Sequence, residues 1–409
     1  MKNILFVSPT GTLDNGAEIS ITNLMFFLVQ KGYNVINVIP FSNPVVQNEY
    51  IKFCEKHNII VCKVSVCKWW WEDAPGGTAG TFEERNQFYK ANIESIEEII
   101  DRYKIDIVIS NTVNVFQGAV AAALKNKKHY WLIHEFPFGE FGYYKDKIRF
   151  LEDFSDKLYA VSGELYKAVS SLITQGTDLG KFFPYSNITS SLLKNGKFNR
   201  IVCIGRLTER KNQLELLKAY CKIEEPVPLI FIGGWDEQYK RKCDEFIRAN
   251  NLSDVEFWGY KNNPYEDLSN KDICVFPSAN ETFGLVYIEA ALHGLPIIFS
   301  DNLGHKSSSE LIKTGEMYSC GNVDDLSLKI KNMLDDFDEK KVIALNRVQF
   351  IKQIYNIDEA YKELLADIEQ NEMRVKSIYL VSDILNAKSI NKFQETQSLA
   401  KKFFKKLLK

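Results

Sequence analysis

Short, continuously apolar runs alternate along the chain with longer stretches of helical period. Asn3–Ser8, Asn34–Ile39, Asp106–Ser110, Tyr130–Ile133 and Lys157–Ser162 have the apolar character of buried strands, as do Arg200–Gly205, Pro228–Ile232, Val255–Gly259, Ile273–Phe276 and Ile297–Phe299. Between them the pattern predicts helices over Ala17–Lys31, Asn92–Tyr103, Phe116–Leu124, Asn212–Tyr220, Gln238–Asn250, Asp324–Asp335 and Asp338–Ile368. Strand, loop, helix, strand repeats predict α/β domains, and the pattern starts twice, at Asn3 and again at Asn199. Two tracts interrupt it. Pro40–Lys104 is less regular, and Gln175–Arg200, rich in Gly, Ser and Asn, reads as a linker.

The second half turns on Ile273–Phe299. A strand closed by Pro277 is followed by turn-prone residues, then by a helix that Gly294 and Pro296 stop. Glu281 and Glu289 stand little more than two helical turns apart, so a helix opened by Glu281 sets both carboxylates on roughly one face. That face would lie beyond the strand C-termini, where open α/β sheets bind ligands.

Other loops carry complementary groups. Arg206 and Lys211 follow Gly205 in one loop and can converge on a diphosphate through charge-assisted bonds; the alternative is a solvated basic loop. Gly16 and Ala17 open the first helix, where backbone N–H groups can meet a phosphate or a sugar carboxylate, or simply make a turn. G-x-G-x-x-G is missing there, which weakens a dinucleotide reading. His134 sits just past a strand end and ahead of Pro137, placed for a cleft or for a backbone-bonded loop role. Trp69, Trp70 and Trp71 cannot all face one core; they suit a saccharide acceptor, a pinned loop or a subunit contact.

These residues also carry a resemblance. Pro277-Ser278-x-x-Glu281-Thr282-Phe283-Gly284, the E-x7-E spacing to Glu289 and the closing Gly294-Leu295-Pro296 resemble the signature of the retaining glycosyltransferases of family four. Gly205-Arg206-x4-Lys211 resembles that family's G-R-x4-K motif, with Asn212 where many members have Gly. His134-Glu135 resembles its H-D/E motif, and Asn15-Gly16-Ala17-Glu18 its GGxE loop, Asn replacing the first Gly as a residue that tolerates the left-handed region. Asn302–Lys306 followed by Glu310 resembles a glycine loop before a glutamate-led helix, with Leu303-Gly304 for the usual glycine pair.

The resemblance implies a GT-B fold, two Rossmann-like domains facing across a cleft. It implies that Arg206 and Lys211 grip the diphosphate of a nucleotide-sugar and that Glu289 holds the ribose hydroxyls. Glu281 and the backbone of Thr282, Phe283, Gly284 and Leu285 would orient the donor sugar, and His134 would reach it from the opposite domain. Gly16, Ala17, Gly205 and Gly233 are the remaining donor contacts it suggests, with Gly234 and Tyr260 near the base. It implies same-face attack, the leaving phosphate taking the acceptor proton, and no nucleophilic role for Glu281. No cofactor or metal is expected, since the basic pair can offset the charge of the leaving diphosphate; UDP is favoured over GDP as the donor nucleotide.

Composition adds bounds. A chain of 409 residues is long enough for two cores. A net charge of -2 gives no sign of nucleic acid as a partner. Eight scattered cysteines without C-x2-C spacing suit a reducing compartment. No signal peptide is convincing and no apolar run approaches the roughly 20 residues of a membrane span, so a cytoplasmic place is expected. The end, SLAKKFFKKLLK, with five lysines among its last nine residues, reads as a basic amphipathic helix that can lie on an anionic membrane or dock by its apolar stripe.

The reading is therefore an acceptor-side Rossmann-like domain at 1–185, a linker at 186–198 and a nucleotide-sugar domain at 199–345. Helices at 346–370 would cross back to the first domain, and a basic tail would follow at 371–409. The expected activity is transfer of a hexose-like sugar to a hydroxyl of a saccharide or lipid-linked saccharide, in polysaccharide or glycolipid assembly, with peripheral membrane contact through the tail. The rivals are a nucleotide-sugar epimerase or hydrolase of the same fold and a non-catalytic sugar-nucleotide-binding subunit.

Overall fold

The computed structural model of the chain describes residues 1–42, 44–65, 80–187 and 193–389. It divides into two compact units, one of Met1–Tyr185 with the returning chain from Ala360, the other of Ser186–Glu359. In unit 1, strands β1 (Asn3–Val7), β2 (Asn34–Pro40), β3 (Ile60–Val64), β4 (Ile107–Asn111), β5 (Lys128–Ile133), β6 (Lys157–Val161) and β7 (Leu179–Phe182) form one sheet of order 3-2-1-4-5-6-7. Every pairing is parallel. Helices α1 (Gly16–Gln30), α2 (Pro44–Lys56), α3 (Phe82–Arg102), α4 (Gln117–Leu124), α5 (Ile148–Asp153) and α6 (Glu164–Ser170) link the strands.

Unit 2 repeats the plan. Strands β8 (Arg200–Ile204), β9 (Leu229–Ile232), β10 (Val255–Gly259), β11 (Asp272–Phe276), β12 (Ile297–Ser300) and β13 (Glu316–Tyr318) lie parallel in the order 10-9-8-11-12-13. Its helices are α7 (Gln213–Tyr220), α8 (Glu237–Ala249), α9 (Leu285–Leu292), α10 (Leu303–Ile312), α11 (Val323–Asp335) and α12 (Phe337–Ile354), before α13 (Ile357–Ala360). Ile201, Leu217, Phe231, Ile273 and Ile330 are buried in its core, each side chain contributing about 1.5–3 kcal/mol by leaving water. In both units the strand order reverses beside the first strand, between β1 and β4 and between β8 and β11, which is where such sheets hold ligands.

The return to unit 1 is fixed by polar contacts. Through α14 (Lys362–Glu369), the Tyr361 hydroxyl meets Ser20 at 2.5 Å, Lys2 and Lys128 donate to the carbonyls of Ile368 and Gln370 at 2.5 Å each, and Lys157 pairs with Asp367 at 3.0 Å. Helix α15 (Ser382–Asn386) then packs on α3.

Several expectations are corrected. The irregular tract after Pro40 holds α2 and β3, and α3 begins ten residues before Asn92. Its start is a capping box: the Thr81 hydroxyl accepts from the Glu84 N–H at 3.2 Å and the Glu84 carboxylate from the Thr81 N–H at 2.8 Å. The supposed linker from Gln175 contains β7, and Lys194, expected in the linker, exchanges backbone bonds with Leu268 and Asn270 of unit 2. The crossing-back helices do not start at 346, because α12 belongs to unit 2 and the chain returns at Ala360. Asn15 caps α1 in an extended conformation, φ -139°, not a left-handed one, and its side chain accepts from the Glu18 N–H. The Trp69–Trp71 run and the lysine-rich end lie outside the described residues.

Candidate functional site

The loop after β8 is shaped by glycines. Gly205 and Gly233 have φ of +148° and +153°, and a Cβ on Gly233 would stand 2.2 Å from the Gly205 carbonyl oxygen. The loops after β8 and β9 are thus pressed together and joined by Leu207 N–H to Gly234 O at 2.8 Å. Arg206 is exposed, and its guanidinium makes no hydrogen bond or ion pair among the described residues. Its carbonyl accepts from the buried Gln213 amide at 3.1 Å. A short 3-10 turn, Glu209–Lys211, is capped by Thr208 and leads to Asn212 at φ 57°, ψ 35°. This left-handed position opens α7, which is why Asn is accepted where Gly is common.

Glu281 does not open a helix. It lies in the loop between β11 and α9, and α9 starts only after Gly284, whose φ of +83° and ψ of +66° set it in the left-handed region. The two glutamates therefore do not share one helical face. Instead Lys211 Nζ reaches Glu281 Oε1 at 2.5 Å, and Arg210 Nη1 reaches Glu281 Oε2 at 3.0 Å. Burial would raise the Glu281 carboxyl, but Lys211 and Arg210 outweigh it and hold the group at about 2. A carboxylate so paired is a poor nucleophile.

Glu289 sits on α9, partly buried, where the Tyr265 hydroxyl donates to it at 3.3 Å and the Ser186 hydroxyl also bonds to it. Burial pushes its carboxyl up, against those bonds and the charge of Lys211. Thr282 and Leu285 are partly exposed beside the N-terminus of α9, whereas Phe283 is buried and its carbonyl accepts from Ser308 Oγ at 2.6 Å. The expected glycine loop at Asn302–Lys306 is instead the start of α10, with Asn302 as cap and Glu310 near its end. A Cβ on Gly304 would fall 2.3 Å from the Glu281 carbonyl oxygen, so α10 abuts the Glu281 loop backbone to backbone. The buried His305 lies beneath Gly284; its Nδ1 is bonded within the Ser300–Asn302 cluster and its Nε2 has no partner among the described residues.

Tyr260 is exposed at the end of β10, and Gly234 is open to any added side chain. Arg210 and Ser186 were not foreseen. Arg210 falls inside the variable part of the Arg206–Lys211 spacing, and Ser186 in a stretch without periodicity. Only the basic character of the loop pointed to Arg210.

The other expected residues belong to unit 1. Gly16 is exposed and Ala17 partly so at the start of α1. Behind them the buried Glu18 accepts from Thr10 N–H at 3.0 Å and Thr10 Oγ1 at 2.9 Å, and burial raises its carboxyl to about 7. His134 is buried edge-on to Phe182, its Nε2 without a partner among the described residues, and burial lowers its imidazole to about 3, so it is neutral at pH 7. Glu135 beside it accepts from Val113 N–H at 3.2 Å and is raised by burial to about 7.

Among the described residues no group of three or more His, Cys, Asp and Glu is arranged to hold a metal. A D-x-D triplet does occur, Asp336-Phe337-Asp338, but Asp338 is spent on Lys271 at 3.1 Å at the start of α12. No helix of the described residues is long and apolar enough to cross a membrane, and the seven described cysteines are free thiols.

Residues 185–348 match the family described as "Glycosyl transferases group 1". Over 180 residues the chain is 28% identical to the N,N'-diacetylbacillosaminyl-diphospho-undecaprenol α-1,3-N-acetylgalactosaminyltransferase of Campylobacter jejuni, covering 42% of this chain and 47% of that one. It is 25% identical over 301 residues to an uncharacterised glycosyltransferase of Methanocaldococcus jannaschii, covering 66% of this chain and 81% of that one. The chain spans half the length or less of the first three curated relatives it matches. Among solved structures it resembles Anabaena HepE in complex with UDP, with a TM-score of 0.69, 16% identity and coverage of 90% of this chain and 99% of that one. The chain thus has the GT-B fold, and its residues 185–348 are related to the glycosyl transferases group 1.

Proposed function

We propose that the protein is a retaining glycosyltransferase of family four that moves a sugar from a nucleoside-diphosphate sugar to a hydroxyl of a saccharide or lipid-linked saccharide. The observation that carries this reading is the meeting of Lys211 and Glu281 at the switch point of unit 2, in the loop that also carries Arg206, whose guanidinium has no partner among the described residues. Arg206 and Lys211 would bind the diphosphate and stabilise it as it leaves. The acceptor oxygen attacks the anomeric carbon, the bond from that carbon to the diphosphate oxygen breaks, and the departing phosphate takes the acceptor proton. Glu289 would accept from two neighbouring ribose hydroxyls. Glu281 and the backbone from Thr282 to Leu285 would orient the sugar, and His134 would meet a sugar hydroxyl as a neutral imidazole. Gly16, Ala17, Gly205 and Gly233 complete the proposed donor contacts.

UDP is the first nucleotide to test, because the Anabaena structures hold UDP or UDP-glucose. The Campylobacter relative, named for an undecaprenol-linked acceptor, supports a lipid-linked acceptor and work at the inner face of the cell membrane. Val375, Ile378, Tyr379 and Leu380 are exposed ahead of the lysine-rich end, which supports peripheral contact with anionic lipid.

The test is hydrolysis or transfer across a panel of sugar nucleotides by wild type, Arg206→Ala and Glu289→Ala. Turnover of one donor, reduced ~100-fold or more by both changes, would support the reading. Nucleotide binding without turnover on any donor and acceptor would sink it in favour of a binding subunit, and free sugar formed without acceptor would favour a hydrolase.

A further inference from the structure

Arg210 occupies a variable position between Arg206 and Lys211, yet it is tied to the Glu281 loop at three points. Its Nη1 donates to Glu281 Oε2 at 3.0 Å and to the Asn280 carbonyl at 3.0 Å, and its own carbonyl accepts from the Ala279 N–H at 2.8 Å. Lys211 Nζ takes the other carboxylate oxygen of Glu281 at 2.5 Å. One buried carboxylate is thus shared by two cations, one to each oxygen. The two differ in freedom. Lys211 is a single ammonium on a flexible stem, whereas Arg210 is a planar donor anchored to the loop backbone as well.

A carboxylate so far from water needs a compensating charge at all times. Were Lys211 its sole partner, a diphosphate could recruit that lysine only by stranding Glu281, and the cost would fall on ligand affinity. With Arg210 on the second oxygen, Glu281 retains a cation when Lys211 leaves.

We propose that Arg210 is a positioning residue that retains Glu281 while Lys211 transfers from that carboxylate to the phosphates of a bound nucleoside diphosphate. Arg210 acts through Glu281 and makes no ligand contact itself. The inference rests on the nucleotide-sugar reading of this site.

The experiment is calorimetric titration of UDP into wild type, Arg210→Met, Glu281→Gln, the double variant and Arg210→Lys, with GDP and ADP as further probes on the wild type. Expected is a loss of about tenfold in UDP affinity for Arg210→Met in the wild-type background, less than about threefold for the same change in the Glu281→Gln background, and partial recovery in Arg210→Lys. Equal losses in both backgrounds would mean that Arg210 touches the phosphate or acts only through its field, and would overturn the proposal. So would unchanged affinity in Arg210→Met. Should Arg210→Met melt out at the titration temperature, Arg210→Gln takes its place in the same cycle. A wild type that binds none of the three nucleotides would bring down the nucleotide reading itself, and with it this proposal; that outcome is recognised before any variant is made.

Discussion

Lys211 Nζ and Glu281 Oε1 stand 2.5 Å apart, though seventy residues separate them in sequence. The contact ties the loop after β8 to the loop after β11, the two loops that flank the reversal of strand order. It places an ammonium on a flexible stem beside a buried carboxylate that Arg210 also holds. The chemistry expected of the site follows from that asymmetry.

Lys211→Ala should cut kcat/KM about 100-fold or more with the donor found in the panel assay, since charge compensation at a leaving diphosphate acts in the transition state. Stability should suffer far less than for an unpaired buried charge, because Arg210 remains on Glu281. Thermal melting alongside the kinetics separates the two effects; equal collapse of both would make Lys211 a structural residue.

Glu281 should leave a mark on the acid limb of stability. Its carboxyl is held at about 2 against an ordinary 4.5, so its stabilising contribution is present above the ordinary value and lost as pH falls from 4.5 toward 2. The full contribution is on the order of 3 kcal/mol at most. Urea unfolding of wild type and Glu281→Gln at several pH values between 5 and 2.5 checks this: the gap between them should close as pH falls. A constant gap would contradict the depressed carboxyl.

Glu18 predicts the opposite slope in unit 1. Burial raises its carboxyl to about 7, so stability is fullest below 4.5 and declines as pH rises through 7. Glu18→Gln should therefore stabilise the protein at pH 8, by on the order of 1–3 kcal/mol, and much less at pH 4.5. Denaturation midpoints of the two proteins at both pH values decide it. Glu135, raised for the same reason, adds to the wild-type slope and remains in the variant.

Two neighbouring glycines should respond very differently to the same methyl group. Gly233→Ala forces a Cβ to 2.2 Å from the Gly205 carbonyl oxygen at a left-handed φ, and should cost about 3 kcal/mol or more, or prevent folding. Gly234→Ala meets nothing within 4 Å and should fall within about 0.5 kcal/mol of wild type. Soluble yield and melting temperature of the pair are a sufficient check.

Most strands, and the loops that carry Arg206, Lys211, Glu281 and His134, were legible in the sequence because β8, β11 and the Tyr130–Ile133 end of β5 are largely buried and read as mainly apolar runs. Where burial and hydrophobicity part company, the reading faltered. In α2, Val45 and Val46 are exposed while Gln47 is buried, donating to the Pro40 carbonyl at 2.6 Å, so the helical period is blurred. β3 begins with an exposed Ile60 at a sheet edge, which hides the alternation. The helix expected from Glu281 begins only after Gly284, which is left-handed and lies so close to His305, from a distant segment, that a Cβ would meet its ring at 2.8 Å. Arg210 could not be singled out by spacing, because its role depends on where the Glu281 loop folds back.

On the proposed function, the close approach of Gly304 to the Glu281 carbonyl bears on how donor preference could be altered by design or by evolution. The inner side of the Glu281 loop is a wall that admits no side chain, so variation at position 304 would be purged as misfolding before any change in substrate were seen. The outer side, at Thr282 and Leu285, is open to change at small structural cost. A library aimed at new sugars should therefore randomise 282 and 285 and hold 304 fixed.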